Sequence, residues 1–149
     1  MSDAIKRLEP FVGEWSIEAV FPGADPPPMD LRARSTFEWT LDGAFLMQRS
    51  EVPVPEAPDG LMVYTPDGDG YLQHYFDSRG VVRLYRMAFD DGVWTLLREE
   101  PDFTPLGFKQ RWTARFSADG NTIEGRWEKT GSDLSTWETD FELIYTRER

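Results

Sequence analysis

The sequence predicts an all-β protein: an antiparallel, up-and-down β-barrel of about ten strands with a short N-terminal helix. Three observations predict it. Segment after segment alternates apolar and polar residues with a period of two, the mark of a strand with one buried and one wet face. Asp-Gly, a strong hairpin signal, occurs six times, at Asp42, Asp59, Asp67, Asp69, Asp91 and Asp119. Most connections are too short for a crossover helix, so neighbouring strands are antiparallel. Closing so long a sheet into a barrel removes its unpaired edges.

Ser2 or Asp3 caps a helix running through about Glu9, with Ala4, Ile5 and Leu8 on its apolar side. Pro10 ends it, and the helix is expected to cover one barrel end. The first strand, about 12–21, sets Trp15, Ile17, Ala19 and Phe21 against Glu14, Ser16 and Glu18. The Pro-rich stretch 22–28 is a loop, because proline cannot donate to a ladder. The second strand, about 31–41, points Leu31, Ala33, Ser35, Phe37 and Trp39 inward, and Asp42-Gly43 turns the chain. In the third, about 44–52, Leu46, Gln48 and Ser50 oppose Phe45, Met47, Arg49 and Glu51, and either choice of inner face buries polar groups.

A second Pro-rich loop, 53–59, places both long loops early, at one mouth of the barrel. Strands follow at about 61–65 and 71–77, joined by a turn at 66–70. Two more lie at about 81–89 and 93–99. After a loop at 101–105 come about 107–116 and 122–129, and the last strand occupies 135–149. There Trp137, Phe141, Leu143 and Tyr145 share one face and Glu138, Asp140, Glu142 and Thr146 the other. With no repeat, linker or change of composition, residues 1–149 read as one domain.

Composition narrows the function. The net charge of −11 disfavours nucleic acid and anionic membranes as partners. The absence of cysteine excludes disulfides, zinc–thiolate sites and thiol nucleophiles. Residues 1–10 show no apolar signal region, and no apolar run approaches a membrane span, so a cytoplasmic protein is expected. Six Trp, ten Phe and five Tyr suit both strands and the walls of a ligand cavity.

Phe11-Val12-Gly13-Glu14-Trp15 opens the first strand after the helix. This Gly-x-Trp resembles the signature of the calycins, the superfamily of the lipocalins, in which a basic residue of the last strand packs across the tryptophan. Arg147 stands at that place, and the contact would be a cation–π closure of the barrel. The segments 45–51, 73–80 and 125–128 resemble the uncharacterised DUF1579-type proteins, relatives of the nitrobindin-like barrels. Nitrobindins bind haem through a C-terminal histidine. Here no histidine follows His74, and the further glycines expected after Trp15 are missing, so no cofactor is expected and haem least of all.

A barrel of about ten strands is wide enough to leave space inside. Trp39, Trp112, Trp127 and Tyr85 are the expected apolar walls, and Gln110 beside Trp112 a polar handle. His74, the single histidine, shares a face with Leu72 and Phe76 and is expected to point inward as an orienting group; its plainer reading is a core histidine with one hydrogen bond. Arg49, if inside, would need an anion, either Glu51 or a ligand carboxylate. Arg83, sharing a face with Tyr85, Met87 and Phe89, is a second anion-binding candidate. Asp67-Gly68-Asp69-Gly70 lacks the spacing of a calcium loop and reads as a turn. No hydrolase elbow, phosphate loop or zinc-protease motif is present, and no metal ligands are assigned. The leading expectation is a barrel holding a small hydrophobic molecule, apolar or carboxylate-bearing, in a cavity of ~300 Å³ or more. The alternatives are an enzyme with His74 as general base beside Glu51 or Asp77, and an interaction module acting as a homodimer.

Overall fold

The computed structural model describes residues 1–21, 32–53, 57–103 and 105–148. The expected loop at 22–28 and the inward placement of Leu31 lie outside the described residues, as do 54–56 of the second Pro-rich loop. Ser2 Oγ accepts the Ile5 amide at 3.2 Å and caps α1 (Asp3–Lys6). The helix is shorter than expected. Pro10 has no N–H for the Lys6 carbonyl and its ring crowds that group, so the α-helix stops at Lys6 and the chain passes into a 3-10 turn at Glu9–Phe11.

Ten strands follow: β1 (Gly13–Val20), β2 (Ala33–Thr40), β3 (Phe45–Glu51), β4 (Gly60–Asp67), β5 (Gly70–Asp77), β6 (Val82–Asp90), β7 (Val93–Arg98), β8 (Gln110–Phe116), β9 (Thr122–Thr130) and β10 (Trp137–Arg147). They form one closed barrel in sequence order, and β10 returns to pair with β1. Every neighbouring pair is antiparallel. The 66–70 turn is tighter than expected, because Asp67 pairs with Gly70 and only Gly68-Asp69 turn.

Closure rests on the expected pair. Trp15 lies opposite Arg147 in the β1–β10 register. The guanidinium stacks 4.1 Å above the indole centroid and donates to the Val12 and Pro10 carbonyls, each at 2.6 Å. Trp15 Nε1 in turn donates to the Phe11 carbonyl at 2.9 Å. One cation thus ties the last strand to the segment that precedes the first.

The helix end of the barrel is filled. Phe11 reaches inside and packs against Phe37, Tyr64, Phe89, Trp94 and Phe116, with ring centroids 4.8–6.5 Å away. Ile5 and Leu8 are buried beside it, and Tyr71 donates its hydroxyl proton to the Ala4 carbonyl at 2.6 Å. The plug is therefore both apolar and latched.

One expected face is reversed. β10 pairs in step with β9 from Phe141 onward, but the register shifts between Thr139 and Phe141. That bulge turns Trp137 to the outer face, where the Arg111 guanidinium stacks 4.1 Å from its ring. Trp137 therefore does not share a face with Phe141, Leu143 and Tyr145.

Candidate functional site

The inner faces of β1–β5 and β7–β10 contribute to a cavity of 370 Å³ in the half of the barrel away from the plug. Phe21, Val52, Ala57 and Pro58 also line it, so the described residues bordering the two Pro-rich stretches meet at one end. Phe21 is 41% exposed there.

The two walls differ in chemistry. On one side stand the indoles of Trp94 (β7), Trp112 (β8) and Trp127 (β9). Trp112 lies 5.4 Å from each of the other two, centroid to centroid. Gly125, two residues from Trp127 on β9, has no side chain because the six-membered ring of Trp112 occupies the place a Cβ would take. On the other side stand Gln48, Ser50 and Gln73. Gln73 Nε2 donates to the Tyr64 hydroxyl at 2.8 Å, and that hydroxyl donates to Gln48 Oε1 at 2.5 Å. Gln48 Nε2 donates onward to Ser35 Oγ at 2.8 Å and Ser50 Oγ at 3.4 Å. This chain uses amide and hydroxyl groups against one another, which is how polar groups are kept inside an apolar core.

No Asp, Glu, Lys, Arg or His lies among the described lining residues. The two tyrosines of the wall stay neutral. Burial pushes the Tyr145 phenol up to about 12, opposed by its hydrogen bond with Gln48. Burial likewise raises Tyr75, whose hydroxyl donates to Asp77 Oδ2 at 2.8 Å. The charged groups nearest the interior, Arg83 and the buried Arg98–Asp102 pair, are not among the lining residues.

Of the residues proposed from sequence, Trp112 and Trp127 line the cavity. Tyr85 and Gln110, expected as a wall and its polar handle, are not among the lining residues: Tyr85 spends its hydroxyl on Gln110 Oε1 at 2.9 Å and packs 5.6 Å from Trp127. Trp39 does not line the cavity either. It lies beyond Phe37 on β2, toward the plugged end, packed against the core. Arg83 faces inward as its strand pattern predicts, with Nη1 3.4 Å from Gln110 Oε1 and its guanidinium 5.8 Å from the Phe108 ring, but it is not among the lining residues.

Arg49 and His74 lie on the outer face: His74 departs from its expected inward orientation, and for Arg49 the open choice of face falls on the outside. Arg49 is exposed, paired in register with Thr36 and Leu61. The reason is the amide beside it: neutral hydrogen bonds satisfy Gln48 inside, whereas a buried guanidinium would need a buried counter-charge. His74 lies opposite Val63 and Leu84, and its Nε2 is 3.1 Å from Thr65 Oγ1. Glu51 is exposed. Asp77 is bound to Tyr75 and, through Oδ2, to Arg79 Nη2 at 2.6 Å. The arrangement of His74 beside a carboxylate at an open cavity is therefore not formed among the described residues.

Sequence reasoning missed Trp94, Tyr145, Gln73 and the inward side of Gln48 and Ser50 as wall residues. The available signal was the choice of faces in β3, where the uncharged polar face is the one a core can satisfy.

Fold and cavity together define a class: a closed ten-stranded antiparallel barrel with a plugged end and an internal chamber. Neither a family model nor a curated protein matches the chain. Among solved structures it is similar to the crystal structure of Rv2717c from M. tuberculosis, with a TM-score of 0.66 and 12% identity, covering 100% of this chain and 99% of that one. At that identity the likeness speaks for the fold. No helix among the described residues is long and apolar enough to cross a membrane.

Proposed function

We propose that this protein is a calycin-like barrel of the DUF1579 type that binds one small, uncharged, largely apolar molecule in its interior. The observation that supports this most is the 370 Å³ cavity whose described lining contains no acidic or basic side chain. That volume falls within the ~300–1,000 Å³ of small-molecule pockets. Of the two ligand kinds the sequence suggests, the geometry favours the uncharged one. A carboxylate would leave water for a wall with no cation, and burying an unpaired charge is unfavourable.

Native mass spectrometry of the purified protein, coupled to organic extraction, tests the reading together with calorimetric titration of neutral cyclic and aromatic probes. Binding with one-to-one stoichiometry is expected. Ala33→Phe, which places a ring in the chamber from β2, should weaken it at least about tenfold while leaving the fold intact. Absence of binding across the neutral panel, or binding that Ala33→Phe leaves unchanged, would overturn the proposal.

A further inference from the structure

One acceptor on the amide wall has no donor and stays open to the chamber. Gln73 lies on the inner face of β5, opposite Tyr64 and Tyr85 in register, and lines the cavity. It is 4% exposed. Its Nε2 is spent on the Tyr64 hydroxyl at 2.8 Å, and no hydrogen bond reaches its Oε1 among the described residues. Oε1 is nevertheless not sealed: the unpartnered polar side-chain atoms shut off from solvent are Trp94 Nε1 and Trp112 Nε1. On an inner face, the small accessible area left to Gln73 opens into the cavity, and Oε1 has a share of it. The other amide and hydroxyl groups of the lining are engaged, Gln48 with Tyr64, Tyr145 and Ser50, and Tyr75 with Asp77. Buried polar groups are almost always hydrogen-bonded, so a free carbonyl oxygen facing the chamber marks a place for a donor.

Resting on the cavity-binding reading above, we propose that Gln73 Oε1 accepts the proton of a neutral hydroxyl group, alcohol or phenol, on the cavity ligand. The neighbours fix which end of the amide is free. Tyr64 gives its own proton to Gln48 Oε1, so towards Gln73 its oxygen can only accept; Gln73 must present its nitrogen there and its oxygen to the chamber. The position is deep. Tyr64 packs against Phe11 of the plug, with ring centroids 6.5 Å apart, so Gln73 stands at the floor of the cavity. A hydroxyl bound there anchors the inner end of a molecule whose apolar body meets Trp112 and Trp127. An ammonium would also donate, but it would bring a charge that no lining anion balances, and an amide would bring a carbonyl that needs donors of its own. The acceptor is held in place beforehand. Gln73 is tied through Tyr64 and Gln48 to Ser35 and Ser50, so little conformational freedom remains to be lost on binding.

The test uses probes that share one skeleton: 1-indanol, which donates, 1-indanone, which only accepts, and indane, which does neither. Titration calorimetry on the intact chain should show the alcohol binding at least about fivefold tighter than the ketone, because the ketone leaves Gln73 Oε1 bare. In Gln73→Met, which keeps the length of the side chain and leaves the Tyr64 proton on Gln48, that preference should fall to about twofold or less. Nuclear magnetic resonance of the unsubstituted protein gives a readout that does not depend on the variant. The Gln73 side-chain carbonyl carbon should lie further downfield with 1-indanol bound than with indane bound, as a carbonyl that accepts a hydrogen bond does. Equal binding of alcohol and ketone, a tighter ketone, a preference that survives in Gln73→Met, or a Gln73 carbonyl resonance that is the same with 1-indanol and indane would overturn the hydroxyl site while leaving the cavity reading standing. Failure of every probe to bind, indane included, would overturn the cavity reading, and the hydroxyl site with it.

Discussion

Gly125→Ala should destabilise the barrel through one ring. The backbone at Gly125 does not need glycine for its own conformation, since its φ lies outside the left-handed region. An added Cβ would nevertheless meet Cη2, Cζ2 and Cζ3 of Trp112, all closer than 3.0 Å. Ordinary carbon–carbon contact needs ~3.5–4.0 Å, so the atom nearest the new Cβ, Cη2 at 2.2 Å, must retreat by about 1.3 Å or more. Trp112 is 1% exposed and is flanked by Trp94, Trp127 and Tyr145. Its one free direction is the cavity. Overpacking of this kind costs about 1–3 kcal/mol, against a gain of about 0.5 kcal/mol from the stiffer unfolded chain. A net loss near 1–2 kcal/mol corresponds to a fall in Tm of roughly 3–8 °C for a chain of this size.

Urea denaturation followed by fluorescence measures the loss, and near-ultraviolet circular dichroism reports whether the tryptophan cluster moves. Gly131→Ala is the control, because there an added Cβ meets only Asp133 Oδ1 at 3.8 Å. Combining Gly125→Ala with Trp112→Phe should cost less than the two changes summed, since the smaller ring removes the overlap. A Gly125→Ala protein within ~0.5 kcal/mol of the parent and with an unchanged near-ultraviolet spectrum would refute the seating of Trp112 on Gly125.

Arg147→Ala should lower stability by about 2–4 kcal/mol in urea melts, since it removes the Trp15 stack and charge-assisted bonds to the Val12, Pro10 and Gly120 carbonyls. Arg147→Lys should recover less than half, because an ammonium cannot fork to Val12 and Pro10 while stacking. Asp102→Ala should cost about 3 kcal/mol by the same assay. It removes the carboxylate that holds the buried Arg98 guanidinium at 2.8 and 2.9 Å and accepts the Leu84 amide, and replacing both charges by apolar residues should cost less than removing Asp102 alone. Burial works to raise the Asp77 carboxyl, but hydrogen bonds from Arg79 and Tyr75 outweigh it and hold it at about 2, below the ordinary 3.8. The folded protein therefore binds that proton less readily than the unfolded chain, so the stabilisation is complete above about pH 4 and is lost as pH falls toward 2. The stability gap between the parent and Asp77→Asn should narrow by at most about 2 kcal/mol across that window, as read from urea melts at stepped pH.

Much of this architecture was legible because each strand keeps one wet face. The strand count, the Asp-Gly hairpins and the Trp15–Arg147 closure follow from local pattern and one long-range pair. Three things were not legible. In β3 and β5 the hydrophobic contrast runs the wrong way. The outer faces carry Phe45, Met47, Leu72 and Phe76, while the inner ones carry Gln48 and Gln73. A strand read alone favours turning Arg49 or His74 inward with the apolar residues beside them. The group that reverses the choice is Tyr64 on the strand between, which takes a bond from one amide and gives one to the other. The bulge before Phe141 is a single residue and turns Trp137 outward with no compositional mark. The seating of Trp112 on Gly125, finally, depends on which side chains meet diagonally across the β8–β9 pair.

The cavity itself has a sequence signature that emerges once the faces are known. Along β1 the inner residues shrink from Trp15 to Ile17 to Ala19, and along β3 from Leu46 to Gln48 to Ser50. Along β2 they grow from Ala33 through Ser35 to Phe37, and along β4 from Gly60 through Met62 to Tyr64. Because consecutive strands run in opposite directions, falling and rising gradients place the large inner residues of these four strands toward the Phe11 end and the small ones toward the other. Four adjacent strands thus taper together. A barrel filled only for stability would distribute volume evenly, since empty apolar space costs free energy. A taper that packs one half and hollows the other divides the labour: the Phe11 plug and the Arg147 closure supply stability, which frees the hollow half from that task, as the proposed binding function requires.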